Sequence, residues 1–374
     1  MELHLWECYR CDKISVNLTD SFKNIIKEKI MNRIYEVAKE IKVTPTRLYE
    51  YFIYQSSVVP LDTLMSICKL FDIPAITMEK EITLYKQMYV PLKNSIRKPK
   101  LPLKMSPYFT SIVANLFFDG SVPKDGKGTY YNQKSEEIMQ NFIMRVKDVF
   151  GDVNYTLRLD HRGVLKCRLP RLIGEMCMHI YDVNSFGTFD STVPSNVFKL
   201  SNEHKLAFVL SAIVDEGSIT YDGEIMFGVS NKDLAEGVRK LCTELQLNAN
   251  EVKRISGSNH YYFYLKSQDM FYEIFTQAKK SYPLFSLGYK EERLWHALRL
   301  RKVPFGYTQE FANKRREEII KKLSQEPLSI NQLSQSLFIR PRSLRRHVSF
   351  LLNQKRIVKL KKNKNNPIYF CPTA

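Results

Sequence analysis

The chain has 374 residues, with 57 Lys or Arg against 39 Asp or Glu and a formal net charge of +18. This length suits two or three folding units, and a hydrophobic fraction of 44% excludes a disordered or low-complexity protein. The positive excess favours a polyanionic partner, nucleic acid first, over an acidic or neutral one. Residues 301–374 hold 17 Lys or Arg against 4 Glu, so they carry most of the excess.

The seven cysteines are odd in number and scattered, which indicates a reducing compartment rather than a disulfide framework. The first 13 residues have no basic stretch followed by an apolar one, and no apolar run approaches the length of a membrane span. We therefore expect a cytoplasmic, nucleoid-associated protein that does not contact a membrane. Cys8 and Cys11 form a lone C-x-x-C without a second pair for zinc, so their role stays open.

Residues 1–90 are predicted to form a helical domain, because short helical patterns fill most of them. Two of these patterns, 33–41 and 45–53, are separated by a short turn, with Thr44 placed to cap the second helix and Pro45 in its first turn. This arrangement resembles the helix-turn-helix of the XRE/Cro-like repressors, and an ordinary helical bundle is the alternative. The resemblance implies DNA contacts from Thr46 and Arg47.

The segment 91–107 contains four prolines, several basic residues and no acidic residue. Such a composition cannot continue a helix, so the segment is predicted to stay extended as a basic linker between domains. It is either a solvated connector or an arm lying along phosphates. The second alternative gives Arg97 and Lys98 contacts with DNA.

Residues 301–374 are predicted to form a winged helix, because three helical patterns precede two strand-like runs around a polar basic loop. The third helix, 341–354, has an apolar face and a basic face and contains no acidic residue to pair with the basic side chains. Arginines in that position can read guanine edges or hold phosphates. The predicted DNA contacts of this domain are Arg340, Arg342, Ser343, Arg345, Arg346, Lys361, Lys362 and Lys364.

A weak internal repeat of about one hundred residues lies between these two modules. Its copies open with the segments 106–122 and 201–219, each an apolar helix that ends in an acid–Gly pair followed by Ser and a β-branched residue. Each opening helix is followed by patterns for two strands, a helix, two strands and a helix. We therefore predict an α+β fold whose core pairs two pseudo-symmetric αββαββα units, at 108–198 and 199–300.

The words VANLFFDG (113–120) and LSAIVDEG (210–217) are similar to the two motifs of the LAGLIDADG homing-endonuclease fold. In that family the motif helices pack together at a pseudo-twofold axis, the acid before the last Gly holds a divalent metal, and the sheets contact DNA. The resemblance implies that Asp119 and Glu216 are catalytic, metal-binding acids, with Mg²⁺ as the cofactor if the chain cuts DNA. It also implies a basic residue beside the metal, for which Lys166 or Lys266 is available.

Electrostatics gives the same two acids a separate reason for interest. An acid in the last turn of a helix faces the negative end of the helix dipole, and two such ends brought together repel, which a bound cation offsets. Gly120 and Gly217 are expected to supply the left-handed residues that end the two helices. Asn115 stands where the family has Gly, and we expect it to loosen the packing of the helix pair.

Alternation in the strands predicts a basic sheet face in the first copy, formed by Arg158, Lys166 and Arg168. The corresponding face of the second copy is more aromatic, with His260, Tyr262, Tyr264 and Lys266. Plain sheet packing is the favoured interpretation of the two tyrosines. Two unlike halves predict a monomer bound to a non-palindromic site on double-stranded DNA.

Two functions compete on this basis. The first is a DNA-binding regulator of transcription or a replication-origin-binding factor, and the second is a divalent-metal-dependent endonuclease. A LAGLIDADG-like core with added DNA-binding modules resembles the bacterial WhiA regulators, which do not cut, and loosely resembles archaeal winged-helix initiator proteins. We favour binding alone, because Asn115 lies at the helix interface and the DNA-binding modules are larger than cutting needs.

Overall fold

The computed structural model describes residues 1–54, 58–124, 128–187, 189, 191–221, 223–266, 268–301, 309–360 and 367–372. Within these ranges the chain combines helices with five β-sheets. No helix among them is both long and apolar enough to span a membrane. The predicted DNA contacts Lys361, Lys362 and Lys364 lie outside the described residues.

The N-terminal region is built from short helices, as predicted, but it also contains strands that the sequence analysis did not predict. Its helices are α1 Leu5–Cys8, α2 Asp20–Ile30, α3 Ile34–Glu40, α4 Pro45–Leu48, α5 Leu61–Leu70 and α6 Ala75–Lys80. Its strands are β1 Glu2–Leu3, β2 Ile14–Leu18, β3 Val59–Pro60, β4 Ile82–Gln87, β5 Ser95–Arg97 and β6 Leu103–Lys104. Pro45 occupies the first turn of α4 as expected, whereas the Thr44 side chain makes no capping hydrogen bond.

The prediction of a linker at 91–107 is wrong, because this segment is part of two sheets. Strand β5 pairs with β4 on one side and with β9, Asp152–Val153, on the other, and β6 pairs with β1. Ile96 and Leu103 are fully buried and anchor the two strands. The prolines and basic residues that suggested a connector flank these short apolar anchors. The N-terminal region is consequently continuous with the central core.

The central core consists of two units with the same order of elements. The first contains α7 Pro107–Phe118, β7 Gly120–Ser121, β8 Thr129–Gln133, α8 Glu136–Phe150, β10 Thr156–Leu159, β11 Leu165–Leu169 and α9 Arg171–Tyr181. The second contains α10 Asn202–Glu216, β12 Gly217–Ile219, β13 Ile225–Val229, α11 Lys232–Glu244, β14 Lys253–Arg254, β15 Tyr261–Leu265 and α12 Gln268–Ser281. The antiparallel sheets run β7-β8-β11-β10 and β12-β13-β15-β14, which is the same strand order in both units. The predicted αββαββα repeat is confirmed at the level of topology.

Helices α7 and α10 pack against each other and form the centre of the core. Both are apolar around nearly their whole circumference, as expected for helices buried on every side. Small residues allow a close approach, and the Ser211 hydroxyl donates to the backbone carbonyl of Ser111 across the interface at 3.2 Å. The C-terminal ends of the two helices therefore meet at one side of the core.

The C-terminal region begins with α13, Tyr289–Arg301, which packs back on the core. It continues with α14 Gln309–Gln325, β16 Leu328–Ser329, α15 Ile330–Leu337, α16 Pro341–Asn353, β17 Val358–Leu360 and β18 Ile368–Phe370. Helices α14, α15 and α16 and strands β17 and β18 occur where they were predicted, whereas β16 was not predicted, and the sheet has the order β16-β18-β17. A hydrophobic core of its own, which includes Leu333, Leu344 and Leu351, indicates a separate module. The winged-helix function assigned to it stays a prediction.

Candidate nucleic-acid interface and paired-helix centre

The ends of α7 and α10 bring two predicted acids together. Asp119 is the residue that ends α7, and Glu216 is the last residue of α10. Burial raises the pKa of Asp119 to about 6. The Glu216 residue is exposed overall, while partial burial of its carboxyl group and the charge of Asp119 raise its pKa to about 7. The charge of Asp119 thus acts on Glu216.

The glycines after these acids serve a different purpose from the one expected. Neither Gly120 nor Gly217 has a positive φ, and Gly217 is extended at φ −84° and ψ 166°. A Cβ atom at Gly120 would lie 2.5 Å from the Cα of Leu116, and one at Gly217 would lie 2.7 Å from the Cα of Ile213. Glycine is required here because the chain turns back against the preceding helical turn.

A polar network that the sequence analysis did not predict crosses the helix pair at Asp215. The Tyr131 hydroxyl donates to Oδ1 of Asp215 at 2.7 Å, and Nδ2 of Asn115 donates to Oδ2 at 2.7 Å. The guanidinium of Arg145, itself 5% exposed, donates to Oδ1 of Asn115 at 3.2 Å and to the Ser111 hydroxyl at 2.6 Å. Burial and the charge of Asp119 raise the pKa of Asp215.

This network corrects the expectation for Asn115. The side chain is fully buried and links Asp215 of one helix to Arg145 behind the other. It therefore joins the two motif helices instead of loosening them. A buried amide with partners on both its oxygen and its nitrogen costs far less than an unpaired one.

The two units differ at this point in an instructive way. Measured from the glycine after each helix, Phe118 of α7 corresponds to Asp215 of α10. The Phe118 ring packs edge-on against Phe227 of the second sheet at 5.6 Å between centroids. Tyr131 pairs with Gly120, and Phe227 pairs with Gly217, so Tyr131 and Phe227 are equivalent positions in the two sheets. The contact of Asp215 with Tyr131 is therefore the counterpart of the contact of Phe118 with Phe227. One contact of the pair is apolar and the other is polar.

A buried lysine from α13 also reaches the end of α10. Lys290 is 3% exposed, and its Nζ donates to the backbone carbonyls of Ile213 at 2.8 Å and Val214 at 2.5 Å. Burial lowers the pKa of Lys290 to about 8, and the nearby carboxyl groups of Asp215, Asp119 and Glu216 oppose that shift. We call the four residues Asp119, Asp215, Glu216 and Lys290 the paired-helix centre.

The residues of the paired-helix centre do not fit a divalent metal well. Mg²⁺ and related ions take about six oxygen ligands, whereas the described residues contain no group of three or more His, Cys, Asp or Glu placed to hold a metal. Two carbonyl oxygens of the α10 terminus are already bonded to the Lys290 ammonium. The catalytic and metal-binding roles predicted for Asp119 and Glu216 stay predictions.

The lysines predicted to stand beside the acids are placed differently. Cys167 pairs with Tyr131, which pairs with Gly120. Phe263 pairs with Phe227, which pairs with Gly217, so Cys167 and Phe263 occupy equivalent positions in the two sheets. Lys166 therefore corresponds to Tyr262, and Lys266 lies four residues further, at about 13 Å along the strand. The Lys166 amine pairs with Asp160 at 3.3 Å. The role predicted for Lys166 or Lys266 beside the acids stays a prediction, and Lys290 is a further basic group that reaches the end of α10.

The solvent face of the first sheet carries the predicted basic residues. Arg158 pairs in register with Lys166, and Thr156 pairs with Arg168, so their side chains share one face. All four residues are exposed, whereas Cys167 between the two basic residues is buried. On the second sheet the equivalent face has Tyr262 and Tyr264, which are half-buried and contact each other at 5.6 Å between centroids. Lys253 pairs in register with Tyr262 and is exposed, so the face is cationic in one unit and combines aromatic side chains with a lysine in the other.

The remaining predicted contacts lie on three surfaces. On α16, Arg342, Arg345 and Arg346 are exposed opposite the buried Leu344, and no described carboxylate pairs with any of the three. Arg340, which precedes α16, is exposed and Ser343 is half-buried. In the N-terminal region Thr46 is exposed and Arg47 pairs with Glu50 at 2.9 Å. Arg97 and Lys98 are exposed at the end of β5.

All seven cysteines are free. Cys8 is buried, and its thiol donates to the backbone carbonyl of His4 at 3.2 Å. Burial raises the pKa values of both Cys8 and Cys11, which disfavours the thiolates that zinc requires.

Two αββαββα units packed along helices that end in acid–Gly define a LAGLIDADG-like core. No family model matches the chain, and no curated protein matches it. Several solved structures are similar to it, including the following three. I-DmoI in complex with DNA and Mn is 14% identical, with 46% of this chain and 96% of that chain covered and a TM-score of 0.33. Full-length DUF199/WhiA from Thermatoga maritima is 12% identical, with coverages of 67% and 93% and a TM-score of 0.35. The N-terminal LAGLIDADG domain of DUF199/WhiA is 11% identical, with coverages of 48% and 86% and a TM-score of 0.33.

Proposed function

We propose that this protein binds double-stranded DNA at a specific site without cutting it. The observation that carries the proposal is the exposed face of α16, where three arginines have no carboxylate partner among the described residues. Unpaired guanidinium groups on one helix face suit both phosphates and guanine edges. The net charge of +18 supports the same partner.

The first sheet adds a second cationic surface. Arg158 and Arg168 project from neighbouring strands on the face that carries Lys166. Lys166 is partly neutralised by Asp160, so the two arginines carry most of the free charge on this face. We assign them to backbone phosphates, because strands of a sheet present basic groups at a regular spacing along the duplex.

The unlike faces of the two sheets support a non-palindromic target. A symmetric site offers the same groups to both halves of the protein, whereas the first sheet face here carries two arginines and a lysine and the second carries two tyrosines and a lysine. We therefore propose that one copy of the chain binds one asymmetric site. The N-terminal residues Thr46 and Arg47, and Arg97 and Lys98 on β5, are assigned supporting contacts with phosphates.

Control of transcription or recognition of a replication origin is the role we assign to this binding. Mg²⁺-dependent cleavage remains the competing function, because Asp119 and Glu216 do interact at the helix ends. The position of Lys290 weighs against it, since an ammonium group occupies carbonyl oxygens at the same helix terminus.

Fluorescence anisotropy with a selected duplex tests the proposal. Replacing Arg342, Arg345 and Arg346 with Ala should weaken binding and make the plot of log affinity against log salt shallower by about 3. The matched control replaces three ion-paired arginines, so that the same charge is removed elsewhere. These are Arg10, Arg33 and Arg239, each within 3.3 Å of a carboxylate. Equal slopes for the two triple variants would contradict the role of α16.

A further inference from the structure

The Lys290 side chain is placed as a buried cation at the end of a helix. Its Nζ lies 2.8 Å from the carbonyl oxygen of Ile213 and 2.5 Å from that of Val214, and the residue is 3% exposed. These carbonyls belong to the last turn of α10, and that of Ile213 also accepts the backbone N–H of Gly217. An ammonium group with three donors has a donor for each of these oxygens and complements the negative end of the helix dipole.

The surroundings of Lys290 give this cation a second task. Three carboxyl groups, those of Asp119, Asp215 and Glu216, act on it electrostatically from the two motif helices. Two of these acids follow each other at the end of α10, and the third ends α7. Without a cation the three groups would repel each other at the point where two helix dipoles already place negative charge. The positive charge of Lys290 offsets part of that repulsion.

We propose that the Lys290 ammonium is the resident cation of the paired-helix centre and that the centre consequently takes no divalent metal. A divalent ion between Asp119 and Glu216 would meet a fixed positive charge on the same helix terminus. Like charges at short range in a partly buried site oppose binding strongly. This inference goes beyond the proposed DNA binding, because it concerns the metal requirement of the protein alone.

Calorimetric titration of the full chain with Mn²⁺, in the absence of DNA, tests the proposal. We expect no site in the unmodified protein tighter than about 1 mM. The Lys290→Met variant should gain one site that is at least roughly tenfold tighter, and the second change Asp119→Asn should remove it. The long apolar side chain of Met keeps most of the buried volume of the lysine stem.

Lys86→Met is the matched control. Lys86 is also buried and donates to a backbone carbonyl, that of Val90 at 2.9 Å, but acidic groups contribute nothing to its pKa shift. This variant should gain no Mn²⁺ site. A gain in Lys86→Met equal to that in Lys290→Met would overturn the proposal, because loss of any buried lysine would then suffice.

Two further outcomes would overturn it. One is a Mn²⁺ site in the unmodified protein that Asp119→Asn abolishes, a comparison in which both proteins retain Lys290. The other is a folded Lys290→Met protein, checked by circular dichroism, with no new site. If that variant does not fold, Lys290→Gln replaces it, since its neutral amide still donates to a carbonyl. None of these results depends on DNA, so failure here is distinct from failure of the proposed function.

Discussion

Removal of one hydroxyl group tests whether the Asp215 network stabilises the helix pair. Tyr131 is fully buried, and its hydroxyl donates to Asp215 at 2.7 Å. In the Tyr131→Phe variant the carboxyl group keeps the shorter bond from Asn115 and a longer one, 3.4 Å, from Gln133. The ring packing is kept, and the variant loses the bond to Asp215 together with two longer bonds of 3.4 Å that the hydroxyl accepts from Asn115 and Gln133.

The expected loss in the free energy of unfolding is about 2 kcal/mol. A neutral hydrogen bond contributes about 1 kcal/mol and one to a charged group up to about 3 kcal/mol. Burial raises the pKa of Asp215 and so favours its neutral form, and we therefore take a value between these limits. The loss should grow as the pH rises and Asp215 ionises, because an ionised carboxylate depends more on its donors.

Tyr85→Phe provides the matched control. Tyr85 is equally buried, but its hydroxyl has no hydrogen-bond partner among the described residues. Removing an unpaired buried hydroxyl should leave stability unchanged or raise it. In thermal unfolding followed by circular dichroism, Tyr131→Phe should therefore have a Tm about 4–8 °C below that of the unmodified protein, and Tyr85→Phe should show no decrease. Equal decreases in the two variants would refute the assigned role of the network.

Three other predictions concern charge, helix ends and the sheet face. Because burial raises the pKa of Asp119 from 3.8 to about 6, the folded state holds its proton more tightly and stability falls as the pH rises from about 4 to about 6. Asp119→Asn should therefore raise the free energy of unfolding by about 1–2 kcal/mol at pH 8, after allowance for solvent screening, and should not change it at pH 4. Melting curves recorded over this pH range measure the difference. Gly217→Ala should lower the free energy of unfolding, measured with urea, by about 3 kcal/mol, because its Cβ would clash with the backbone of Ile213. Gly163→Ala should lower the free energy of unfolding by only about 1 kcal/mol, because a Cβ there would meet open space and only the φ of +72° would be strained. Joint replacement of Arg158 and Arg168 with Ala should make the slope of log DNA affinity against log salt shallower by about 2. An unchanged slope would exclude the sheet from the interface.

The repeated core was predictable because its signals are local. Two apolar helices ending in acid–Gly, each followed by the same alternation of strand and helix patterns, determine the topology of both units. The basic face of α16 follows from a spacing of three and four residues around the buried Leu344. In each of these cases the residues that define the pattern lie within one or two elements of each other.

The paired-helix centre was only partly predictable because tertiary packing assembles it. Lys290 comes from a helix more than 70 residues after Ile213, and no local pattern marks it. A signal did exist for Asp215, since two consecutive acids end a helix that also faces the polar Asn115. The strands at 95–97 and 103–104 were missed because buried Ile96 and Leu103 stand among prolines and lysines. Composition indicated a connector, and pairing with distant strands decided otherwise.

Footprinting of the full chain on duplexes selected from a random library, with Mg²⁺ and again with EDTA, addresses the main conclusion most directly. We predict one protected site without twofold symmetry, identical under both conditions, with every strand intact. A strand break that appears at the site only with Mg²⁺, or a library from which no duplex is enriched, would contradict it.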